Sequence, residues 1–193
     1  MEITDLERYY NLLEEKKNSQ NVSFLLNNDR AHNAIIEKFM LNNSNHIRMY
    51  CGEMSVFREN FYEYINRENG IELADYAKAE VRNALHEFVN RPDTSLEIYF
   101  ETFNETYLRD IIDDEIFRKG LKLKKICLYK LDDKLFLKGG IAHISITDSN
   151  IIRIESNPVT HEAICSVNAT PDIINNVNTT FSYMQSVRED ILN

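Results

Sequence analysis

The sequence has 193 residues, of which 43% are hydrophobic and 27% are charged, and its net charge is −9. This length and composition predict a globular protein with one core-sized domain and exclude a disordered chain. The negative charge argues against a broad surface for nucleic acid or anionic membranes, because neutralising phosphates needs clustered Lys and Arg. No apolar run is long enough to predict a membrane span.

The cysteines and the N-terminal residues indicate a cytoplasmic protein. Cys51, Cys127 and Cys165 are odd in number and far apart, which is typical of reduced thiols. The N-terminal segment is acidic and lacks the apolar centre of a secretion signal. Abundant asparagine and the absence of tryptophan suggest an AT-rich bacterial or phage genome. The sequence contains no CxxC, HExxH or glycine-rich phosphate loop, so we predict no metal and no cofactor.

The first two thirds of the chain alternate between helical and strand patterns. Residues 1–20 are predicted to form an N-terminal helical appendage, and residues 21–193 a single domain. The apolar spacing predicts helices at 3–17, 30–41, 57–67, 73–90 and, more weakly, 104–119, with strands at 22–26, 46–52 and 95–101.

The pattern changes after Gly120, where four strand-like runs follow one another. They cover residues 124–133, 134–148, 150–157 and 161–168, separated by Asp- and Asn-rich turns. Thr170 and Pro171 then predict the start of a closing helix over 171–190. The order predicts an α/β (α+β) fold in which a mixed β-sheet is flanked by helices.

The stretch "IAHISITDSNIIRIESN" (141–157) carries the chemically informative residues. It resembles the hairpin of a phospholipase D-like domain, which holds His-x-Lys, four further residues and an aspartate. His143 stands in the histidine position, Ser145 stands where that family has lysine, and Asp148 falls two residues early. The order of elements over about residues 20–190 is also similar to one half-repeat of that family.

The second part of the motif is altered as well. The family continues with a Gly-Ser-x-Asn turn, to which Ser156 and Asn157 are similar, while Glu155 replaces the glycine. The stretch is also similar to the tail of degenerate members, whose hairpin reads as an aspartate turn followed by Arg-(Leu/Ile)-Glu.

The resemblance implies a specific chemistry. In the family one histidine attacks phosphorus, a second protonates the leaving group, and the lysines stabilise the charge of the transition state. It therefore makes His143, Asp148 and Ser156 the catalytic candidates. Replacing one preorganised cation by Ser145 typically costs about 3–4 kcal/mol of transition-state stabilisation.

Three functions follow from this pattern. The first is a non-catalytic phospholipase D-like module for binding or assembly, which associates with itself or with a protein partner. The second is a diverged phosphodiesterase or nuclease with His143 as nucleophile in a homodimeric site, with Arg48, Lys138 or Arg153 in place of the lysine. The third is a structural or virion-associated phage protein.

Further candidates lie outside the hairpin. Cys51 and Glu53 follow a predicted central strand, where open sheets bind ligands, so we predict a binding site of Cys51, Glu53, His143, Ser145 and Asn157. The acidic run 110–117 is interpreted as a solvent-facing helix rather than a Mg²⁺ site. The basic segment from Lys119 to Lys125 is interpreted as a solvated strand edge, with contact to nucleic acid as the alternative.

Overall fold

The protein forms a single mixed sheet with helices on both of its faces. The computed structural model describes residues 1–19, 21–27, 29–51, 57–101, 109, 114–131, 143–157 and 162–191, except for the side chain of Ser156. The helices within these residues are α1 (Ile3–Asn18), α2 (Arg30–Asn43), α3 (Glu59–Asn69), α4 (Ile71–Asn90), α5 (Glu115–Lys122) and α6 (Pro171–Ser186). The strands are β1 (Ser23–Asn27), β2 (His46–Cys51), β3 (Ser95–Phe100), β4 (Ile126–Leu131), β5 (His143–Thr147), β6 (Ile152–Asn157), β7 (Glu162–Val167) and β8 (Arg188–Asp190).

The strand order is β1-β7-β6-β5-β2-β3-β4-β8. Strands β2, β3 and β4 are mutually parallel, and each other pairing is antiparallel. Helices connect the parallel strands because a parallel pair needs a crossover, whereas the hairpins β5–β6 and β6–β7 follow directly. The predicted mixed sheet flanked by helices is confirmed.

The two faces of the sheet are covered to different extents. Helices α1 to α5 pack on one face, here called the five-helix face, around a core that includes Phe39, Phe88 and Ile98. Helix α6 packs on the opposite face, here called the α6 face, against Tyr50, Tyr99 and other residues of the central strands. Because both faces are covered there, side chains that point in either direction from a central strand are buried.

Three local features differ from the sequence interpretation. The closing helix ends at Ser186, and the residues after it form β8 at the sheet edge beside β4. The sequence spacing of Thr4 and Glu7 is that of a capping box, but the capping box of α1 is formed by Glu2 and Asp5. The predicted helix 104–119 is described as a helix only from Glu115, and residues 102–108 and 110–113 lie outside the described residues.

Helix α1 contributes to the main core. Leu6 and Leu13 are fully buried, and the helix packs along α2. Within the described residues, every helix is too short or too polar to span a bilayer.

Candidate functional site

A row of side chains crosses the sheet where β2 and β6 end and β5 begins. The strand register places Cys51 opposite His143, His143 opposite Glu155, and Glu155 opposite Ala163. Directly opposed residues point to the same face of a sheet, so Cys51, His143 and Glu155 share the five-helix face. This row lies at the carboxyl ends of the parallel strands, where open sheets bind their ligands.

His143 is held by a carboxylate across the β5–β6 hairpin. Its Nδ1 hydrogen-bonds to Glu155 Oε2. The His143 side chain is 20% exposed, whereas the Glu155 side chain is 1% exposed. An ionised carboxylate only accepts hydrogen bonds, so Nδ1 carries the hydrogen and Nε2 is left as the basic ring nitrogen. The sequence suggests Ser145, Asp148 or Ser156 as the partner of this imidazole, whereas the partner in the structure is Glu155.

Two more charged side chains are buried beside this pair. Arg153 Nη2 lies 3.5 Å from Glu155 Oε2, and the Arg153 side chain is 4% exposed. Glu37 comes from α2 and is 4% exposed. Glu37 Oε2 and Arg153 Nε find no hydrogen-bond partner among the described residues. We call Glu37, His143, Arg153 and Glu155 the buried charge cluster.

Burial shifts the pKa of Glu37 and of its neighbour Cys51. Burial raises the pKa of Glu37 to about 7; the Arg153 guanidinium opposes this shift and Glu155 adds to it. Burial also raises the pKa of the Cys51 thiol far above its ordinary value, and the charge of Glu37 raises it further. A thiol with a raised pKa stays protonated at neutral pH and is a poor nucleophile. Cys51 is therefore placed beside His143 but is not activated.

The arrangement favours one side chain for chemistry. His143 Nε2 can act as a nucleophile or base because Glu155 fixes the ring tautomer. The surroundings of His143 do not favour an anionic substrate, because the guanidinium of Arg153 already contacts the carboxylate of Glu155. The described residues hold no group of three His, Cys, Asp or Glu side chains that could share a metal ion.

The structure separates some of the other predicted site residues. Ser145 points to the same face as His143 and is 1% exposed, so its hydroxyl is closed to solvent. Asp148 lies five residues further along, roughly 16 Å at the rise of a strand. Its Oδ1 accepts a hydrogen bond from the Asn45 backbone N–H (3.0 Å), which ties the β5–β6 turn to the start of β2.

The remaining predicted residues are placed only in part. Asn157 is half-buried at the end of β6 and pairs with Glu162 of β7. Ser156 belongs to β6, but its side chain lies outside the described residues. Glu53 lies outside them altogether.

Of the three cations proposed to replace the missing lysine, only Arg153 is placed beside His143. Arg48 lies opposite Ile146 in the register and points to the α6 face, where it hydrogen-bonds to Asn178 Oδ1. It lines a cleft of about 250 Å³ with His46 and Asp148 at the other end of the strands. Lys138 lies outside the described residues.

The basic segment from Lys119 to Lys125 is not a strand edge. It forms the second half of α5 and the turn after it. Lys119 hydrogen-bonds to Asn90 Oδ1, and Lys125 to the Arg91 carbonyl oxygen, so two of its ammonium groups secure the end of α4.

The sequence interpretation missed the roles of Glu37, Arg153 and Glu155. A cross-strand count would have found Glu155, because a hairpin turning at Ser149 places residue 155 opposite residue 143. The alternation of β6 also puts Arg153 and Glu155 on one face. Such a polar face normally faces water, but here it lies beneath α1 and α2, from which Tyr9 and Glu37 interact with Arg153. Glu37 gives no comparable signal, since an acid on a helix is usually solvated.

Comparison with known proteins gives a likeness of fold but no match of sequence family. No family model matches the sequence, and the curated proteins give no match. The chain is similar to the crystal structure of a phospholipase D family member, Nuc from Salmonella typhimurium, with a TM-score of 0.48 and 10% sequence identity. The alignment covers 90% of this chain and 100% of that chain. A likeness at this level does not assign an activity to this chain.

Proposed function

We propose that the chain is a non-catalytic phospholipase D-like module that acts by binding and assembly. The observation that carries this proposal is the state of the guanidinium beside His143: Arg153 is 3% exposed and paired with Glu155. Phosphoryl transfer needs a cation that can reach the non-bridging oxygens of the substrate. A side chain buried beneath the sheet surface and neutralised by a carboxylate is not available for that task.

Position 145 supports the same proposal. The buried hydroxyl of Ser145 supplies no positive charge with which to stabilise a phosphoryl group. The charge cluster then serves to join α2 to the sheet. Breaking a buried charge pair by removing one partner is strongly destabilising, so such a cluster also constrains which packing the chain can adopt.

A hydrolysis assay tests this function. The full chain and His143→Gln are incubated with bis-p-nitrophenyl phosphate, single-stranded DNA and phospholipid vesicles. We expect both proteins to match the buffer blank with each substrate. Hydrolysis by the wild type that disappears in His143→Gln would refute the non-catalytic function.

The second candidate is a diverged phosphodiesterase, and the His143–Glu155 hydrogen bond favours it. That bond leaves Nε2 as a nucleophile, whose attack on phosphorus forms an N–P bond as the ester P–O bond breaks. This candidate predicts that a phosphoryl group is attached to His143 after substrate is added. Intact mass measures this group, and its loss in acid distinguishes it from an acid-stable adduct. The setting in a bacterial or phage cytoplasm rests on composition alone and stays a prediction, as does the virion-associated alternative.

A further inference from the structure

The first strand of the sheet has an unpaired edge without charges. Strand β1 stands at the end of the strand order and pairs only with β7 among the described strands. Residues 18–28 contain no ionisable side chain and no proline. Natural proteins usually protect a free edge with Lys, Pro or a bulge, because unpaired N–H and C=O groups recruit another strand. This edge lacks those protections.

An apolar patch adjoins the same edge. Leu26 is 74% exposed, Phe24 58%, Ile164 43% and Val22 42%. Leu26 lies opposite Ile164 in the β1–β7 register, so the patch continues from one strand to the next on the α6 face. The apolar residues that pack with α6 belong to β2 through β6, and Phe24, Leu26 and Ile164 are not among them. We call Val22, Phe24, Leu26 and Ile164 the β1 patch.

Resting on the assembly role proposed above, we infer that β1 pairs with β1 of a second copy of this chain, antiparallel about a two-fold axis at Leu25. This register aligns the whole of β1 with its copy. Leu25 faces Leu25, and Phe24 of each copy faces Leu26 of the other. The two sheets become one sheet of twice the width, and the β1 patches merge into one apolar stripe.

The choice of a second copy follows from symmetry and charge. Phe24 and Leu26 are placed symmetrically about Leu25, so the strand is complementary to itself in the antiparallel sense. Two copies of a chain with net charge −9 repel each other over most of their surfaces. The uncharged segment 18–28 is a place where two copies can approach without opposing like charges.

Sedimentation equilibrium of the full chain at tens of micromolar tests the dimer. We expect the wild type to be dimeric and Phe24→Lys and Leu26→Lys to be monomeric but still folded, because both side chains are exposed in the monomer. Leu123→Lys is the matched control, since Leu123 is 50% exposed and lies after α5. We expect this control to remain dimeric. A monomeric wild type, or a dimer that persists in both β1 variants, overturns the inference.

Disulfide trapping tests the register. Phe24→Cys and Leu26→Cys are each made in a Cys127→Ser background, because Cys127 is the partly exposed cysteine. Cys51 and Cys165 are buried and can stay. Directly opposed residues have Cα atoms about 4.5–5.5 Å apart, within the range that a disulfide spans. With oxidised glutathione we therefore expect linked dimers from the mixture of the two variants and little linkage in either variant alone. Linkage of Phe24→Cys to itself would overturn a two-fold axis at Leu25.

The dimer and the non-catalytic function fail separately. Hydrolysis that depends on His143 refutes the non-catalytic function and leaves the sedimentation result standing. A monomer at all concentrations overturns the dimer, while the hydrolysis result is unaffected. A monomer whose β1 patch instead binds an extended segment of another protein also overturns the second-copy inference.

Discussion

His143 depends on one partner, and that partner is deeply buried. Glu155 accepts the hydrogen of His143 Nδ1 and is 1% exposed, so removing the imidazole takes a hydrogen bond from a buried carboxylate. We expect His143→Ala to lower the free energy of unfolding by about 1–3 kcal/mol, because a buried acceptor loses a hydrogen bond. His143→Gln keeps a hydrogen-bond donor and is expected to lower the free energy of unfolding by less. Urea unfolding at neutral pH measures both.

His86→Ala is the matched control for this prediction. His86 is exposed on α4, and its ring is hydrogen-bonded only to Asn90 in the described contacts. We expect its stability to match the wild type. Equal stabilities for the wild type, His143→Ala and His143→Gln would mean that the His143–Glu155 hydrogen bond has no structural role.

Glu37 gives the protein a pH dependence of a defined sign. Its pKa of about 7 exceeds the ordinary value of 4.5, because burial disfavours the charged carboxylate. Between these pH values the folded protein holds a proton that the unfolded chain releases. This group's contribution to stability is therefore complete below pH 4.5, falls as the pH rises, and is lost above about pH 7. The difference between the two pKa values corresponds to about 3 kcal/mol of folding free energy.

The variant Glu37→Gln isolates that contribution. Glutamine is nearly isosteric and does not titrate, so the variant is expected to lose less stability than the wild type between pH 5 and pH 8. Glu72→Gln on the exposed first turn of α4 should leave the wild-type profile unchanged. Parallel pH profiles for the wild type and Glu37→Gln would contradict a protonated Glu37.

Helix α5 packs closely on the sheet at its single glycine. A Cβ at Gly120 would lie 2.4 Å from Ile126 Cδ1 and 3.2 Å from Val89 Cγ2. Alanine is favoured over glycine in a helix by about 1 kcal/mol, but the side chain of Ile126 is buried and cannot move aside freely. We expect Gly120→Ala to destabilise the fold by about 1–3 kcal/mol, since overpacking outweighs helix propensity. Denaturant melts measure this change.

Lys122→Ala provides the comparison on the same helix. Lys122 is exposed, so this substitution changes helix propensity without adding a contact to the core. The free energy of unfolding of Lys122→Ala is expected to stay close to that of the wild type. A Gly120→Ala protein that is more stable than the wild type would show that α5 has room to shift away from β4.

At the level of elements, the sequence patterns predicted seven of the eight strands because apolar alternation is strong in each. Strand β8 was missed because Arg188–Asp190 is short and charged, and its pairing with β4 is purely tertiary. Two residues of the candidate site, His143 and Cys51, were named from the sequence, and the strand register places them opposite each other. Its charges were not predicted, because burial of Glu37 and Arg153 follows from the packing of α2 over the sheet.

At the level of the whole molecule, coverage of the sheet is uneven. Within the described residues, α1 to α5 cover one face, while α6 covers the central strands of the other. The β1 patch lies beyond that cover, next to the edge of β1 that has no pairing among the described strands. The chain thus combines a closed charge cluster at the strand ends with an open apolar surface at one side of the sheet, as expected for the assembly role that we propose.

Association through an uncharged edge has a characteristic salt dependence. Each copy has a net charge of −9, and residues 18–28 contribute no charge to the proposed contact. Two copies therefore gain no ion pairs from this segment and repel each other at long range. Added salt reduces the range of that repulsion, since the Debye length falls from about 30 Å at 0.01 M salt to about 8 Å at 0.15 M. We expect the dimer to become tighter over this range in sedimentation equilibrium, with Leu123→Lys following the same trend from a slightly higher affinity. A dimer that weakens as salt is added would require opposite charges across the contact and would place the interface elsewhere on the molecule.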